Sequence, residues 1–229
     1  MKHLTKICAG LCLGLLAACS GGEDSSNSQT AVLKELRTVV KENRKSRKAP
    51  ATKFQITRAI LDLQTVGSLE VTVESTNQTA YLIPGAFRTD HLPGKIAVWR
   101  TITGENVVLR EGVLISTRGL GRDLASSDAS ASLRAIKARG NGGGERRMQV
   151  RNDVNGAFDL LLQCETAVVG NESIDIIELR FQTLHLRETC QSTLGTVRND
   201  YWVNHSGKVL QSRQWAGPDL GYLKIRLLK

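Results

Sequence analysis

Residues 196–228 read TVRNDYWVN-HSG-KVLQSRQWA-GPD-LGYLKIRLL. Three runs rich in β-branched, aromatic and aliphatic residues are separated by two turn sequences, His205-Ser206-Gly207 and Gly217-Pro218-Asp219. Runs of this kind, bounded by Gly, Pro, Asn or Asp, are typical of β-strands. Connections this short can join only antiparallel neighbours. This stretch therefore predicts a meander of three antiparallel strands.

The same strand pattern fills most of the chain upstream of the meander. Residues 69–73 alternate between apolar and polar side chains, which indicates a strand with one buried face. Residues 172–182 change phase between Ile176 and Ile177, which predicts a β-bulge or a bend. Further strand candidates are residues 79–83, 96–101, 107–110, 113–118, 147–151, 157–164 and 184–190. About twelve strands and two or three helices predict a mainly β fold: an antiparallel meander forming a curved sheet, sandwich or open barrel.

Two segments interrupt the strand pattern. Residues 54–63 predict a short helix or turn before the first strand. Residues 119–145 hold only sparse apolar residues among Ser, Ala and Gly, and within them Asn141-Gly142-Gly143-Gly144 predicts a flexible loop tip. This tip lacks the Gly-Lys-Ser/Thr of a phosphate-binding loop, so we do not expect it to bind a nucleotide.

The first residues of the chain predict where the protein is located. Residues 1–18 combine two lysines, an apolar run and small residues, the pattern of a secretory signal too short to span a bilayer. Leu16-Ala17-Ala18-Cys19 resembles the bacterial lipobox, in which Cys19 would be acylated and begin the mature chain. The alternative is an ordinary cleaved signal with an unmodified thiol. By resemblance to enteric sorting signals, Ser20 favours the outer membrane, and we expect the protein on its periplasmic side.

Two segments separate the lipobox from the β-rich part of the chain. Residues 19–29 are Ser, Gly and polar residues, which predict a lipidated flexible tether. Residues 30–50 place apolar side chains at helical spacing, carry many lysines and arginines, and end at Pro50, which predicts a basic amphipathic helix. This helix either packs on the body with a solvated basic face or contacts anionic headgroups or an acidic polymer. Residues 51–229 form the predicted β-rich domain.

The charge of the chain is basic. The 229 residues include 31 Lys and Arg against 22 Asp and Glu, a net charge of +9, which falls to +7 when Lys2 and Lys6 leave with the signal. Such a charge favours anionic partners: lipopolysaccharide phosphates, acidic glycans or nucleic acid. Because an exported protein does not meet nucleic acid, we expect membrane and anionic polysaccharide as partners instead.

The five cysteines divide into three groups. Cys8 and Cys12 leave with the signal, and Cys19 is the predicted lipidation site. Cys164 and Cys190 remain in an oxidising compartment, which predicts a disulfide. The alternative is two independent buried thiols. Two distant cysteines, with no histidine at ligand spacing, predict no metal site.

No arrangement of residues predicts catalysis or a cofactor. His91, His185 and His205 lie far apart in sequence and form no triad motif. The candidates for a ligand or partner surface are Trp99, Arg118, Arg122, Asp123, Trp202, Arg213 and Trp215. For the tryptophans, the alternative is burial in the core with the indole N–H satisfied; for the turn around Asp123, it is a backbone role in which glycines supply positive φ angles.

Several short motifs together resemble one protein family. They are Trp99-Arg100-Thr101 with Gly104; Glu111-Gly112-Val113-Leu114; Thr117-Arg118-Gly119-Leu120-Gly121 with Asp123-Leu124; Glu188-Thr189-Cys190; Tyr201-Trp202-Val203; Ser212-Arg213-Gln214-Trp215; and Gly221-Tyr222-Leu223. In order and spacing they are similar to the YjbF/GfcB-like family of outer-membrane lipoproteins, which is associated with export of exopolysaccharide and group 4 capsule. The resemblance runs from about residue 56 to residue 228. It implies a β-rich periplasmic domain and a role in polysaccharide secretion, and it brings no catalytic site.

The resemblance and the lipobox together predict an outer-membrane lipoprotein that is a non-catalytic accessory in exopolysaccharide or capsule export or assembly. Its expected partners are the membrane, through the lipid anchor, and anionic polysaccharide or other polysaccharide-export proteins. The alternatives are a lipid- or lipoprotein-carrier-like protein with an apolar cavity, a glycan-processing enzyme with two facing carboxylates, and a peptidoglycan tether acting through the basic helix.

Overall fold

The computed structural model describes residues 56–151 and 156–229. The predicted signal, tether and basic helix lie outside these residues. The elements are β1 (Leu69–Val73), β2 (Gln78–Arg88), β3 (Ile96–Arg100), β4 (Asn106–Arg110), β5 (Val113–Arg118), β6 (Leu124–Ser127), β7 (Gly142–Arg151), β8 (Ala157–Ile176), β9 (Leu179–Ser192), β10 (Gly195–Val203), β11 (Val209–Trp215) and β12 (Tyr222–Leu227), with helices α1 (Arg58–Leu63) and α2 (Ser130–Ala138). Neither of these helices is long and apolar enough to cross a membrane.

All twelve strands belong to one antiparallel sheet with the order β5-β4-β3-β2-β1-β12-β11-β10-β9-β8-β7-β6. Each strand pairs with its sequence neighbour, except that β1 pairs with β12 and the two edge strands, β5 and β6, come together. Their contact is made by side chains: Ser116 Oγ donates to the carbonyls of Leu124 (3.2 Å) and Ala125 (3.1 Å). The sheet is therefore a nearly closed barrel. The mainly β, antiparallel prediction is confirmed, and of its three forms the open barrel is the one observed.

One edge of β5 pairs with no other described strand, and buried polar side chains form hydrogen bonds with its backbone groups. Gln214 Oε1 accepts from the Leu114 amide (2.8 Å), and Gln214 Nε2 donates to the Gly112 carbonyl (2.9 Å). Arg146 Nη2 donates to the Leu114 carbonyl (2.9 Å). Because an unpaired buried backbone group is costly, these side chains stabilise an edge that would otherwise need another strand.

The barrel interior follows from the alternation of the strands. Val71 lies opposite Ala80 of β2 and Ile225 of β12, and all three side chains point to the same side of the sheet. Their neighbours Glu70 and Thr72 point to the other side. The inward residues form the main apolar core together with residues of β3, β4, β7, β8 and β9. We call the space they enclose the lumen.

Helix α2 packs in a second apolar cluster, with Val113 and Leu186, and its position explains the glycines that follow it. Ala131, Leu133, Ala135 and Ile136 of the helix are buried. The predicted flexible tip at residues 141–144 is wrong, since its glycines begin strand β7. A Cβ at Gly142 would lie 2.8 Å from Ala135 Cβ, and one at Gly144 would lie 3.1 Å from Ala131 Cβ. These glycines therefore allow the strand to pack closely against the helix.

A second correction concerns the phase change at Ile176 and Ile177. It is neither a bulge nor a bend in one strand, because β8 ends at Ile176 and β9 begins at Leu179. The two residues between them, Ile177 and Glu178, have φ angles of 40° and 66°, the positive values that a two-residue hairpin turn requires. Asn-Gly or Asp-Gly usually supplies such angles. Because neither dipeptide occurs at residues 177–178, the sequence contains no signal for this turn.

Helix α1 holds the tip of this hairpin. Arg58 of the helix donates to the carbonyls of Ile176 (3.2 Å), Ile177 (3.2 Å) and Leu228 (3.1 Å). Ile56, Leu61 and Ile174 pack together in a separate small core. The helix predicted within residues 54–63 is thus present, and it joins the hairpin to the C-terminal strand.

Arg110 anchors the loop between β2 and β3. This buried side chain donates to both carboxylate oxygens of Asp90 (2.9 and 2.6 Å) and to the Gly94 carbonyl (3.1 Å). The hydrogen bonds from Arg110, followed by one from the Leu92 amide, lower the pKa of Asp90 to about 2.

We expect Asp90→Asn to destabilise the protein at neutral pH and to make its stability less sensitive to acid. The folded pKa lies below the value of about 3.9 for an unfolded chain. The stability contributed by Asp90 is therefore complete above that value and is lost as the pH falls towards 2. Urea unfolding of both proteins at several pH values should show a gap that narrows with acidification, and a constant gap would contradict the assignment.

Candidate functional site

A cavity of about 1020 Å³ opens at one end of the barrel. Four connections surround the opening: those between β1 and β2, β3 and β4, β5 and β6, and β11 and β12. We call this space the mouth cavity. Its volume is at the upper end of the range for ligand sites in proteins, about 300–1,000 Å³. It is therefore the main candidate for a binding site among the described residues.

The walls of the mouth cavity are aliphatic. Val71 and Val73 of β1, Ala80 and Leu82 of β2, and Val107 of β4 line it. Strand pairing places them together, since Val71 lies opposite Ala80 and Leu69 lies opposite Leu82. The walls thus offer contacts to an apolar ligand and no charge.

The rim of the mouth cavity is polar. Thr101 and Thr103, on the connection between β3 and β4, both donate hydrogen bonds to the Glu105 carboxylate. These bonds, with that of Thr101 the larger effect, lower the pKa of Glu105. Glu105 is therefore a carboxylate at neutral pH, and its environment is the opposite of one that would make it a proton donor.

The turn between β5 and β6 holds two of the predicted ligand or partner residues: Arg122 lies at the rim, and Asp123 is buried. Arg122 lines the cavity and forms an ion pair with Asp219. Asp123 is buried and accepts hydrogen bonds from the Thr117 hydroxyl (2.8 Å) and the Gly119 amide (2.8 Å). Asp123 thus fixes the turn that positions Arg122, and Arg118 is exposed at the end of β5.

A second cavity, of about 370 Å³, lies at the other end of the lumen. Trp99, only 7% exposed, is part of its wall and of the apolar core. Phe87, Lys95 and Lys208 also line it. Trp99 is therefore buried in the core, which was the alternative to its being part of a ligand or partner surface. It also borders this second cavity.

Trp202 lies on the outer surface of the barrel, in a cluster with His185. The two rings stack with centroids 4.6 Å apart and planes 12° apart. His185 Nε2 lies 2.7 Å from Asp200 Oδ1, and Trp202 Nε1 donates to Glu172 Oε2 (2.8 Å). One face of Trp202 is therefore already covered by a protein ring, and a sugar could stack only on the remaining exposed part.

Arg213 and Trp215 occur in different environments. Arg213 donates to both oxygens of Glu74 (2.9 and 2.8 Å), and its guanidinium carbon lies 3.5 Å from the centre of the Tyr222 ring. Trp215 is 8% exposed and belongs to the main core. The seven predicted ligand or partner residues therefore do not form one site, and of these only Arg122 reaches the mouth cavity.

A buried polar cluster is centred on Glu188, and the sequence did not predict it. Glu188 forms an ion pair with Arg146 (3.0 Å) and accepts from Asn199 (2.7 Å), Tyr201 (3.1 Å) and Ser132. Burial, and then the negative charge of Glu188, raise the pKa of Tyr201. Tyr201 therefore remains a hydrogen-bond donor. Alternation along β7 gave a signal, since Arg146 shares a face with the buried Met148 and Val150.

The structure contains the predicted disulfide between Cys164 and Cys190. The two residues face each other across β8 and β9, 26 positions apart in sequence, and both are buried. Together with Glu188 they form the one group of potential metal ligands found among the described residues. Because the two sulfur atoms are bonded to each other, neither is a thiolate that could bind a metal.

Comparison with solved structures shows that the barrel has been observed before. The crystal structure of the hypothetical lipoprotein YmcC from Escherichia coli (K12) matches with a TM-score of 0.68 at 20% sequence identity, covering 77% of this chain and 90% of that chain. At this identity the likeness supports the fold alone. A search of curated proteins finds no significant match.

Most of the sequence matches a model of one protein family. Residues 33–228 match the family model described as group 4 capsule polysaccharide lipoprotein gfcB, YjbF. This range includes every described strand and both described helices. The resemblance found in the sequence motifs is confirmed, and the chain belongs to the YjbF family of group 4 capsule polysaccharide lipoproteins.

Proposed function

We propose that this protein is a non-catalytic accessory in the export or assembly of exopolysaccharide or capsule. The match to the family of capsule polysaccharide lipoproteins over residues 33–228 carries this proposal. In this role the protein binds a component of the export process and holds it at the membrane, and its partners are the polysaccharide or other export proteins.

The described carboxylates at the mouth support a binding role over catalysis. A glycan-processing site needs a carboxyl group that donates a proton and a second carboxylate across the cleft. Asp219 is engaged in an ion pair with Arg122, and Glu105 accepts hydrogen bonds that lower its pKa. Glu105 therefore has a pKa shifted away from the raised value that a general acid requires, and the Asp219 carboxylate is held by Arg122.

We further propose that Cys19 carries the lipid anchor and that the anchor places the protein on the periplasmic side of the outer membrane. The support is the lipobox in the sequence and the lipoprotein family. Each buried methylene of an acyl chain contributes about 0.8 kcal/mol, so several chains hold a protein firmly. Residues 20–55 would then connect the anchor to the barrel.

Deleting the gene should remove most of the surface polymer in a strain that produces it, and the wild-type gene should restore it. The Cys19→Ala protein should neither incorporate labelled palmitate nor remain with the outer membrane, and it should restore little polymer, because it cannot be held at the site of export. Membrane fractionation, palmitate labelling and polymer quantification measure these effects.

Cys12→Ala is the matched control, since it removes a thiol from the predicted signal and leaves Cys19 intact. It should be labelled, localised and active like the wild type. Unchanged surface polymer after deletion would contradict the accessory role. Palmitate labelling of Cys19→Ala, or its full retention in the outer membrane, would contradict the anchor and leave the accessory role standing.

A further inference from the structure

The mouth cavity has a volume that close packing does not explain. Protein interiors are packed as densely as organic crystals, with few voids larger than a water molecule. Water against the half-buried aliphatic side chains of the wall, Val73, Ala80 and Leu120, finds few hydrogen-bond partners. Replacing it with an apolar group is therefore favourable.

The rim indicates the polar part of such a ligand. Glu105 and Asp219 are acidic, and the cation at the rim, Arg122, is already paired with Asp219. Among the residues that line the opening, a phosphate or carboxylate would therefore meet two carboxylates and one cation that is already paired. Hydroxyl groups would instead find the carboxylate oxygens of Glu105 and the side chains of Ser75 and Thr76. The rim thus fits an uncharged head group that can donate hydrogen bonds.

One more feature of the opening is apolar. Ile102, at the tip of the connection between β3 and β4, is fully exposed and lines the cavity. A large aliphatic side chain in this position extends the apolar walls out to the entrance. An alkyl chain that enters the lumen would contact it from the beginning.

We propose that the mouth cavity binds the alkyl chain of an uncharged, hydroxyl-bearing lipid, with its head group at the rim of Glu105 and the neighbouring hydroxyls. Val73 of β1, Ala80 of β2 and Leu120 hold the chain, and the rim carboxylates of Glu105 and Asp219 select against anionic lipids. This inference does not depend on the role in polysaccharide export, since it rests on the cavity alone.

Photolabelling of the full lipidated protein in membrane vesicles tests the proposal. The probe is a long-chain monoacylglycerol with a photoreactive diazirine in its chain, and mass spectrometry maps the labelled residues. We expect labels on the half-buried residues that line the cavity, Val73, Ala80 and Leu120. Unlabelled monoacylglycerol should compete with the probe, and lysophosphatidic acid of the same chain length should compete much more weakly.

Two variants fill the cavity, and one controls for the substitution. Val73→Phe and Ala80→Phe place a ring in the space that the chain would occupy. A ring that excludes about two methylene groups lowers affinity roughly tenfold. Thr72→Phe adds the same ring on the opposite face of β1 and should label like the wild type. Melting temperatures of all three show whether the barrel is intact.

Each result decides a part of the proposal. Label confined to the outer surface of the wild-type barrel, or undiminished label in both filled variants, would overturn the site. If lysophosphatidic acid competed with the probe as well as monoacylglycerol does, the proposed preference for an uncharged head group would be wrong. Because mapping uses the wild type, it remains decisive if a variant fails to fold. None of these readouts depends on surface polymer, so failure here is distinct from failure of the proposed function.

Discussion

Glu188→Gln should lower the free energy of unfolding by about 3–5 kcal/mol, the cost of leaving one partner of a buried ion pair without the other. Glu188 and Arg146 have side chains that are each 1% exposed. Glu188 accepts four side-chain donors, from Arg146, Asn199, Tyr201 and Ser132. An amide offers a single acceptor oxygen and adds two donors, so some of these groups would face another donor.

Chemical unfolding in urea measures this effect, and Glu145→Gln is its matched control. Glu145 lies on β7 next to Arg146 and pairs with Arg147 at 2.9 Å, but both side chains are largely exposed. An exposed pair of this kind contributes little, so the control should unfold nearly like the wild type. Equal stability of Glu188→Gln and this control would show that the buried pair is not needed.

The double variant Arg146→Met, Glu188→Leu refines the same test. Replacing both charges by apolar groups removes the unpaired charge and leaves well-packed side chains, which is often neutral or stabilising in buried pairs. We expect the double variant to be more stable than Glu188→Gln. Arg146 also donates to the Leu114 carbonyl (2.9 Å), and Ser132, Asn199 and Tyr201 lose their acceptor, so the remaining loss would measure these unsatisfied groups together.

Removing the disulfide should cost about 3.5 kcal/mol, the second-largest effect. In the chain-entropy model a cross-link stabilises the fold by restricting the unfolded chain, and the effect grows with the size of the closed loop. Cys164 and Cys190 are separated by 26 positions. The variant Cys164→Ala, Cys190→Ala should therefore unfold at a lower urea concentration than the wild type.

Reductant provides the control for the disulfide. Reduced wild-type protein should lose a similar amount of stability, whereas the double variant should not respond to reductant. Mass spectrometry of the mature protein should detect these two thiols only after reduction. Two reactive thiols in protein unfolded without reductant would contradict the pairing.

The surroundings of the predicted ligand residues depend on distant segments, which the sequence alone does not predict. Trp215 and Arg213 are two positions apart on β11, yet Trp215 is in the core and Arg213 pairs with Glu74, 139 positions away. Their spacing along the strand indicated a common face, but it could not indicate which distant groups cover that face. His185 is a further example, since it lies between the carboxylates of Glu172 and Asp200 on the two neighbouring strands.

The sequence by itself determined most of the strands, their antiparallel neighbours, the family and the chemistry available to the two cysteines of the domain; it missed β6, the start of β7 and the turn between β8 and β9. These properties are local, because alternation sets which side chains share a face and short turns join adjacent strands. Only the tertiary structure decided that the sheet closes, which depends on β1 pairing with β12 and on Gln214 reaching Leu114, 100 positions away. It also decided that Arg146 meets Glu188 in the interior and that the lumen opens into the mouth cavity. Contacts between distant segments are set by packing and by the hydrogen bonding of buried polar groups. The alternation of apolar and polar residues along a strand predicts neither of these.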